Sequence, residues 1–118
     1  MDYSQLSDFE INKRVFKAIV GAIPLGYPHN ADGRSVGNES NGNYRWYDYC
    51  NNPEDAWPII TENKISIMFD STDMRYEGEY HEWCDAISSC QKFGIQHQSN
   101  PLRAAMIVFL MMQDANNA

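Results

Sequence analysis

The sequence predicts an α+β fold in which three main helices pack around a small antiparallel sheet. Two observations carry the helices. Apolar residues recur at three- and four-residue spacing over residues 8–20 and again after Asn100-Pro101, while Asn52-Pro53 supplies a third start of the cap-then-proline kind. One observation carries the sheet. Ile65-Ser66-Ile67-Met68-Phe69 alternates apolar and polar until its end, as a half-buried strand does. A chain of 118 residues with 43% hydrophobic content suits one domain spanning residues 1–118, large enough to need no staple.

The first helix opens at Ser7-Asp8-Phe9-Glu10, a capping box in which Ser7 accepts from the Glu10 N–H and Glu10 reaches back. Ile11, Val15, Ala18, Ile19 and Ala22 form its apolar stripe, and Asn12, Lys13, Arg14 and Lys17 take the other faces. Gly21 and Pro24 end it near residue 20. Residues 24–43 are rich in glycine, proline and asparagine with little apolar periodicity, so they read as a long, mobile loop. Tyr44-Arg45-Trp46-Tyr47-Asp48-Tyr49 follows as a short strand or an extended segment.

Pro58 complicates the second helix, because a helix begun at Pro53 would carry it past the first turn at a cost of about 3 kcal/mol. Two solutions stand: a short helix over residues 56–63 capped by Asp55, or a kinked one from Pro53. The strand over 65–69 turns at Asp70-Ser71-Thr72-Asp73 and pairs antiparallel with a second strand over 80–88. That second strand sends Trp83, Asp85 and Ile87 to one side and Cys84, Ala86 and Ser88 to the other. In the last helix Leu102, Ala105, Met106, Phe109 and Leu110 mark one face, and Ala104, Ile107, Val108 and Met111 fill the rest. A helix apolar nearly all round is buried on several sides, either as the central helix or at a dimer interface. The polar tail 113–118 is expected to fray.

Sixteen acidic residues against nine basic ones leave a net charge of -7. Lys13, Arg14 and Lys17 are the densest basic group and read as one solvated helix face, so direct nucleic-acid binding is disfavoured. The acidity suits a basic partner, a nucleic-acid mimic or plain solubility. Three cysteines without regular spacing argue for a reducing compartment. An acidic, polar N-terminus is no signal peptide, and the longest apolar run, 104–112, falls far short of the roughly 20 residues that span a bilayer. A cytosolic protein without membrane contact is expected.

His81, Cys84, Cys90 and His97 are zinc-ligand types, but their spacing fits no common zinc module and the strand assignment sends His81 and Cys84 to opposite faces. Two buried thiols and two surface histidines explain them better, and the same reading disfavours Cys84 or Cys90 as a nucleophile beside His81 or His97. Asp70, Ser71, Thr72 and Asp73 with Glu77 and Glu79 offer oxygens to calcium, yet Met74 and Arg75 break the ligand alternation, so a solvated turn is preferred. Glu77, Glu79, Glu82 and Asp85 read as charges that guard a sheet edge in preference to an acid–base pair. No catalytic residue, metal or cofactor is expected.

Aromatic residues beside an arginine are what interfaces and ligand clefts are enriched in. Tyr44, Arg45, Trp46, Tyr47 and Tyr49 are therefore the candidate binding residues, with Trp57 and Trp83 as the floor of a cleft; finishing the core is their competing role.

Four stretches carry a resemblance: Tyr3 through Asn12, Asn52 through Ile60, Trp83 through Ile87, and Asn100 through Ile107. In order and spacing they resemble the NinX proteins of lambdoid phages and prophages, within the wider phage group called the ABA sandwich domain. The resemblance implies an α-β-α layered domain made in the cytoplasm of an infected or lysogenic bacterium, and it implies no activity. The favoured expectation is thus a non-enzymatic phage accessory protein that binds a host or phage macromolecule. A protein partner or self-association, up to a homodimer, would use the aromatic segment or the C-terminal helix. The alternative is a small-molecule or nucleotide binder that folds the 24–43 loop over the aromatic segment, and a metal-dependent hydrolase ranks last.

Overall fold

The computed structural model describes residues 1–73, 75 and 78–117. Met74 and Glu77 of the acidic loop, and Ala118 of the tail, lie outside the described residues. A single helical turn at Tyr3–Gln5 precedes α1 (Asp8–Val20), then β1 (Val36–Ser40), β2 (Asn43–Tyr47), α2 (Pro53–Glu62), β3 (Ser66–Ser71), β4 (Glu82–Ile87), β5 (Gly94–Gln98) and α3 (Pro101–Asn116). The α+β class stands, but the single sheet of the sequence reading is two: a β1–β2 hairpin and a three-stranded antiparallel sheet in the order β3-β4-β5.

Helix α1 has the expected bounds and cap. Ser7 Oγ accepts from the Glu10 N–H at 3.2 Å, and Gly21 closes the other end in the left-handed region that glycine adopts freely. Its buried face differs from the expected stripe. Ile11, Asn12, Val15 and Phe16 are buried, whereas Ala18, Ile19 and Ala22 are exposed because the end of the helix runs past the core.

Within residues 24–43, read as a loop, Val36–Ser40 forms a strand against Asn43–Tyr47. Asn41 and Gly42 both take positive φ, the geometry a two-residue turn needs to match the twist of its strands. Gly37 faces Trp46 across the ladder, and the indole lies on it so closely that an added Cβ would sit 2.6 Å from the ring. Gly37→Ala is therefore expected to displace Trp46 and destabilise the protein by about 1–3 kcal/mol. An unchanged midpoint in thermal unfolding would contradict that.

Helix α2 starts at Pro53 with Asn52 as its cap, and it holds Pro58 inside. Asp55 is not the cap. Its Oδ2 accepts the Asp48 N–H at 2.9 Å instead, while Asn52 Oδ1 accepts the Glu54 N–H at 3.0 Å. In β4, Cys84 and Ala86 are buried while Trp83, Asp85 and Ile87 are partly exposed, the alternation the sequence predicted. Strand β5 carries little sign of itself, since Ile95 is its single strongly apolar residue.

Helix α3 is the central helix. Ala104 through Leu110 are buried without interruption, and it packs on β3, β4 and β5 and on both other helices. The apolar circumference from Ala104 to Leu110 is thus covered within one copy, and Leu102, Met111 and Met112 stay partly exposed. The helix also continues to Asn116, so residues 113–116 are helical where fraying was expected. The Tyr3 hydroxyl donates to Asp114 Oδ2 and ties that end down. Burial first, then this carboxylate, pushes the Tyr3 pKa up to about 12.

Candidate functional site

The side chains best suited to polar chemistry are joined in an internal network. Asn12 is fully buried. Its Nδ2 donates to the Arg34 carbonyl at 2.9 Å and to Asp48 Oδ1 at 3.0 Å, and its Oδ1 accepts the Cys50 N–H at 3.1 Å. Arg34 Nε donates to the other Asp48 oxygen at 2.7 Å, and Asn51 donates to both Asp48 and Asp8 at 3.0 Å. Arg103 Nη1 donates to Asp8 Oδ1 at 2.7 Å, and its Nη2 reaches the Ser4 and Leu6 carbonyls at 3.2 and 2.7 Å. Asn100 caps α3 and donates to the Cys50 carbonyl and to Asn51 Oδ1.

One set of bonds thus fastens the starts of α1 and α3 to the loop between β2 and α2. Both oxygens of Asp8 and of Asp48 accept from donors of the same chain, an arrangement that orders structure. Nothing in the sequence pattern marks this network except an asparagine inside a helix and two Asn-Pro starts.

The aromatic segment divides between core and surface. Tyr49 is buried, and burial together with Tyr47 and Asp55 pushes its hydroxyl pKa up. Tyr47 is half-buried, 5.9 Å from Phe16 and stacked on Tyr49 at 5.8 Å. Trp46, on the other side of the ribbon, meets His29 edge-on at 4.8 Å and Tyr27 at 6.4 Å. Arg45 is exposed and sets its guanidinium over the Tyr47 ring at 5.7 Å, and Tyr44 stays 57% exposed. Tyr27, Tyr44, Arg45 and Trp46 therefore belong to one hairpin region, with Tyr44 and Trp46 on one face of the ribbon and Arg45 on the other.

Trp57 and Trp83 do not floor that region. Trp57 stands on α2, 61% exposed, in an apolar groove of about 840 Å³ that also takes in Ile60, Ile67, Phe69 and Leu102. Trp83 lies on the outer face of β4, stacked on His97 at 4.9 Å. The expected cleft is hence three separate places: a hairpin, a groove, and the outer face of a sheet. Residues Ile67, Phe69 and Leu102 of the groove were outside the candidate set, because only tertiary packing gathers α2, β3 and the start of α3 around one groove.

The family model described as Bacteriophage P22, NinX matches residues 2–113. The chain belongs to that family. No curated protein and no solved structure matches it. Among the described residues, no helix of this NinX-family chain is long and apolar enough to cross a membrane.

Cysteine and acidic residues of this NinX-family chain are dispersed. Burial pushes the Cys50 and Cys84 thiols up, and Cys84 Sγ donates to the Gln98 carbonyl at 3.2 Å. Cys90, expected to be buried, is exposed in the β4–β5 turn, where its hydrogen bond with Ser88 lowers its pKa. Asp73 pairs with Arg75 at 2.9 Å, Glu79 lies 3.6 Å from His81, and Asp85 accepts the His97 N–H at 2.9 Å. Among the described residues, no three His, Cys, Asp or Glu side chains gather as a metal would require.

Proposed function

We propose that this phage-family chain is an accessory protein of the bacterial cytoplasm that works by binding a host or phage protein, without catalysis. One observation carries the reading: the β1–β2 hairpin presents Trp46 packed on Gly37 and His29 and Arg45 set over Tyr47, with Tyr44 exposed between Asn43 and Arg45. Aromatic and arginine side chains held in place lose little entropy on contact, which is why they dominate binding energy at interfaces. The net charge of -7 favours a partner with a basic face and opposes a phosphate backbone. The small-molecule reading has less support, since Tyr27 and His29 already lie against the Trp46 ring that a ligand would need.

Affinity capture from phage-infected cells, run beside the double variant Tyr44→Ser and Arg45→Glu, tests this. The expected result is one partner at near-stoichiometric yield that the variant loses, with binding that weakens as salt rises. Equal recovery by the variant, or binding of the purified chain to duplex DNA, would overturn it.

A further inference from the structure

We propose that this chain forms a two-fold dimer in solution by pairing β3 with β3 of a second copy. The surface is distinct from the hairpin of the preceding section, so either reading can fail alone.

Strand β3 is an edge: among the described residues β4 pairs with one side of it and no strand pairs with the other. Its hydrogen-bonding phase follows from its end. The Thr72 N–H donates to the His81 carbonyl at 2.9 Å, one step beyond the Ser71–Glu82 pair. Bonded and non-bonded pairs alternate along an antiparallel ladder, so Ser66, Met68 and Asp70 direct their backbone groups at β4. Ile67, Phe69 and Ser71 direct theirs outward. The Ile65 N–H keeps the same phase, since it is taken on the α2 side by the Ile60 carbonyl at 3.0 Å.

Exposed edges are ordinarily blunted by charge, proline or a bulge. The other edge strand, β5, is irregular, with His97 at φ 56 and a shift of register against β4. Ser66 to Phe69 carries none of these devices. Met68 is 51% exposed and Phe69 75%, on opposite faces of the same strand, and Phe69 is continuous with the apolar groove of Ile67, Trp57 and Leu102.

The strand is complementary to itself. In an antiparallel register centred on Met68, the outward backbone groups of Ile67 meet those of Phe69 of the second copy, and Met68 meets Met68 on the axis. Phe69 of each copy then enters the groove of the other beside Ile67, Trp57 and Leu102. Ser66 comes opposite Asp70, so no like charges face each other, and Lys64 comes to the Thr72–Asp73 end of the other copy. Trp57 and Phe69 together would hide on the order of 500 Å² over the two copies. Met68, Ile67, the groove walls and the strand backbone add toward the roughly 1,200 Å² at which stable interfaces begin.

Sedimentation velocity on the purified full chain, from about 1 to 300 µM, covers the affinities such an interface would have. A dimer whose population rises with concentration is expected, and with salt as well, since each copy carries -7. Met68→Lys and Met68→Glu, each at an exposed position, are expected to keep the circular dichroism spectrum and to weaken association at least about tenfold. Phe69→Ser is expected to do the same through the groove. Mixing the Met68→Lys and Met68→Glu chains should restore a dimer, because opposite charges then meet on the axis. A wild-type chain that stays monomeric throughout overturns the proposal. So does a dimer that survives Met68→Lys, or a mixture of the two variants that remains monomeric.

Discussion

Asn12→Leu is expected to lower the stability of the protein by about 4 kcal/mol, a large share of the 5–15 kcal/mol that holds a domain folded. Leucine fills nearly the same space, so the loss measures hydrogen bonds and not a cavity. The Cys50 N–H and the Arg34 carbonyl would be left without the Asn12 side chain, and Asp48 would lose one of its donors. Each buried group left unsatisfied costs about 1–3 kcal/mol. Asn12→Asp should be worse, since it sets a carboxylate against Asp48 Oδ1, now 3.0 Å from the Asn12 amide. Urea unfolding reads both effects as a fall in midpoint at constant slope. A loss below about 1 kcal/mol for the leucine variant would mean that water replaces the amide, and the network would not be structural.

Arg103→Met is expected to cost about 2–3 kcal/mol, at the low end for a buried ion pair because Asp8 keeps 28% of its side chain in solvent. Methionine retains the apolar stem and removes the three bonds to Asp8, Ser4 and Leu6. Adding Asp8→Asn should recover part of the loss, since it takes away the carboxylate that Arg103→Met orphans. Asp8→Asn alone should destabilise. A double variant whose loss equals the sum of the single losses would show that the two side chains act independently. Neither Arg103 nor Asn12 lies on β3 or lines its groove, so neither variant should alter association of the chains that remain folded.

Legibility in the sequence followed the reach of each interaction. Helix α1 was readable to the residue because its cap, its dipole-matched acids and its terminal glycine lie within a few positions of one another. The alternation of Cys84 and Ala86 inward against Trp83, Asp85 and Ile87 outward was readable for the same reason. Strand β1 was missed although Asn41-Gly42 is a strong hairpin signal, because Glu39, Ser40 and Asn43 around it erase the alternation that would support it. Asn12 was assigned to the faces away from the apolar stripe because local rules send asparagine outward. Its partners sit 22 to 38 residues away, beyond any window of periodicity.

The candidate site was legible only as composition. Tyr44, Arg45 and Trp46 stand out in the sequence by type, but whether Trp57 and Trp83 joined them depended on how α2 and β4 are packed. They do not. The β3 edge and its groove were invisible for the opposite reason: Ile67 and Phe69 look like core residues, and their exposure follows from a strand that has a neighbour on one side only.

By itself the sequence determined three helices, the caps of the first and last, a helix apolar nearly all round and an acidic chain of mixed α+β class, because propensity, capping and periodicity act between near neighbours in the chain. Tertiary structure alone decided which polar side chains are enclosed, how the strands divide into two sheets, and which apolar ones are left in the open. Those outcomes rest on contacts between residues far apart in the chain, where burying an amide or exposing a phenylalanine is set by what the fold brings beside it.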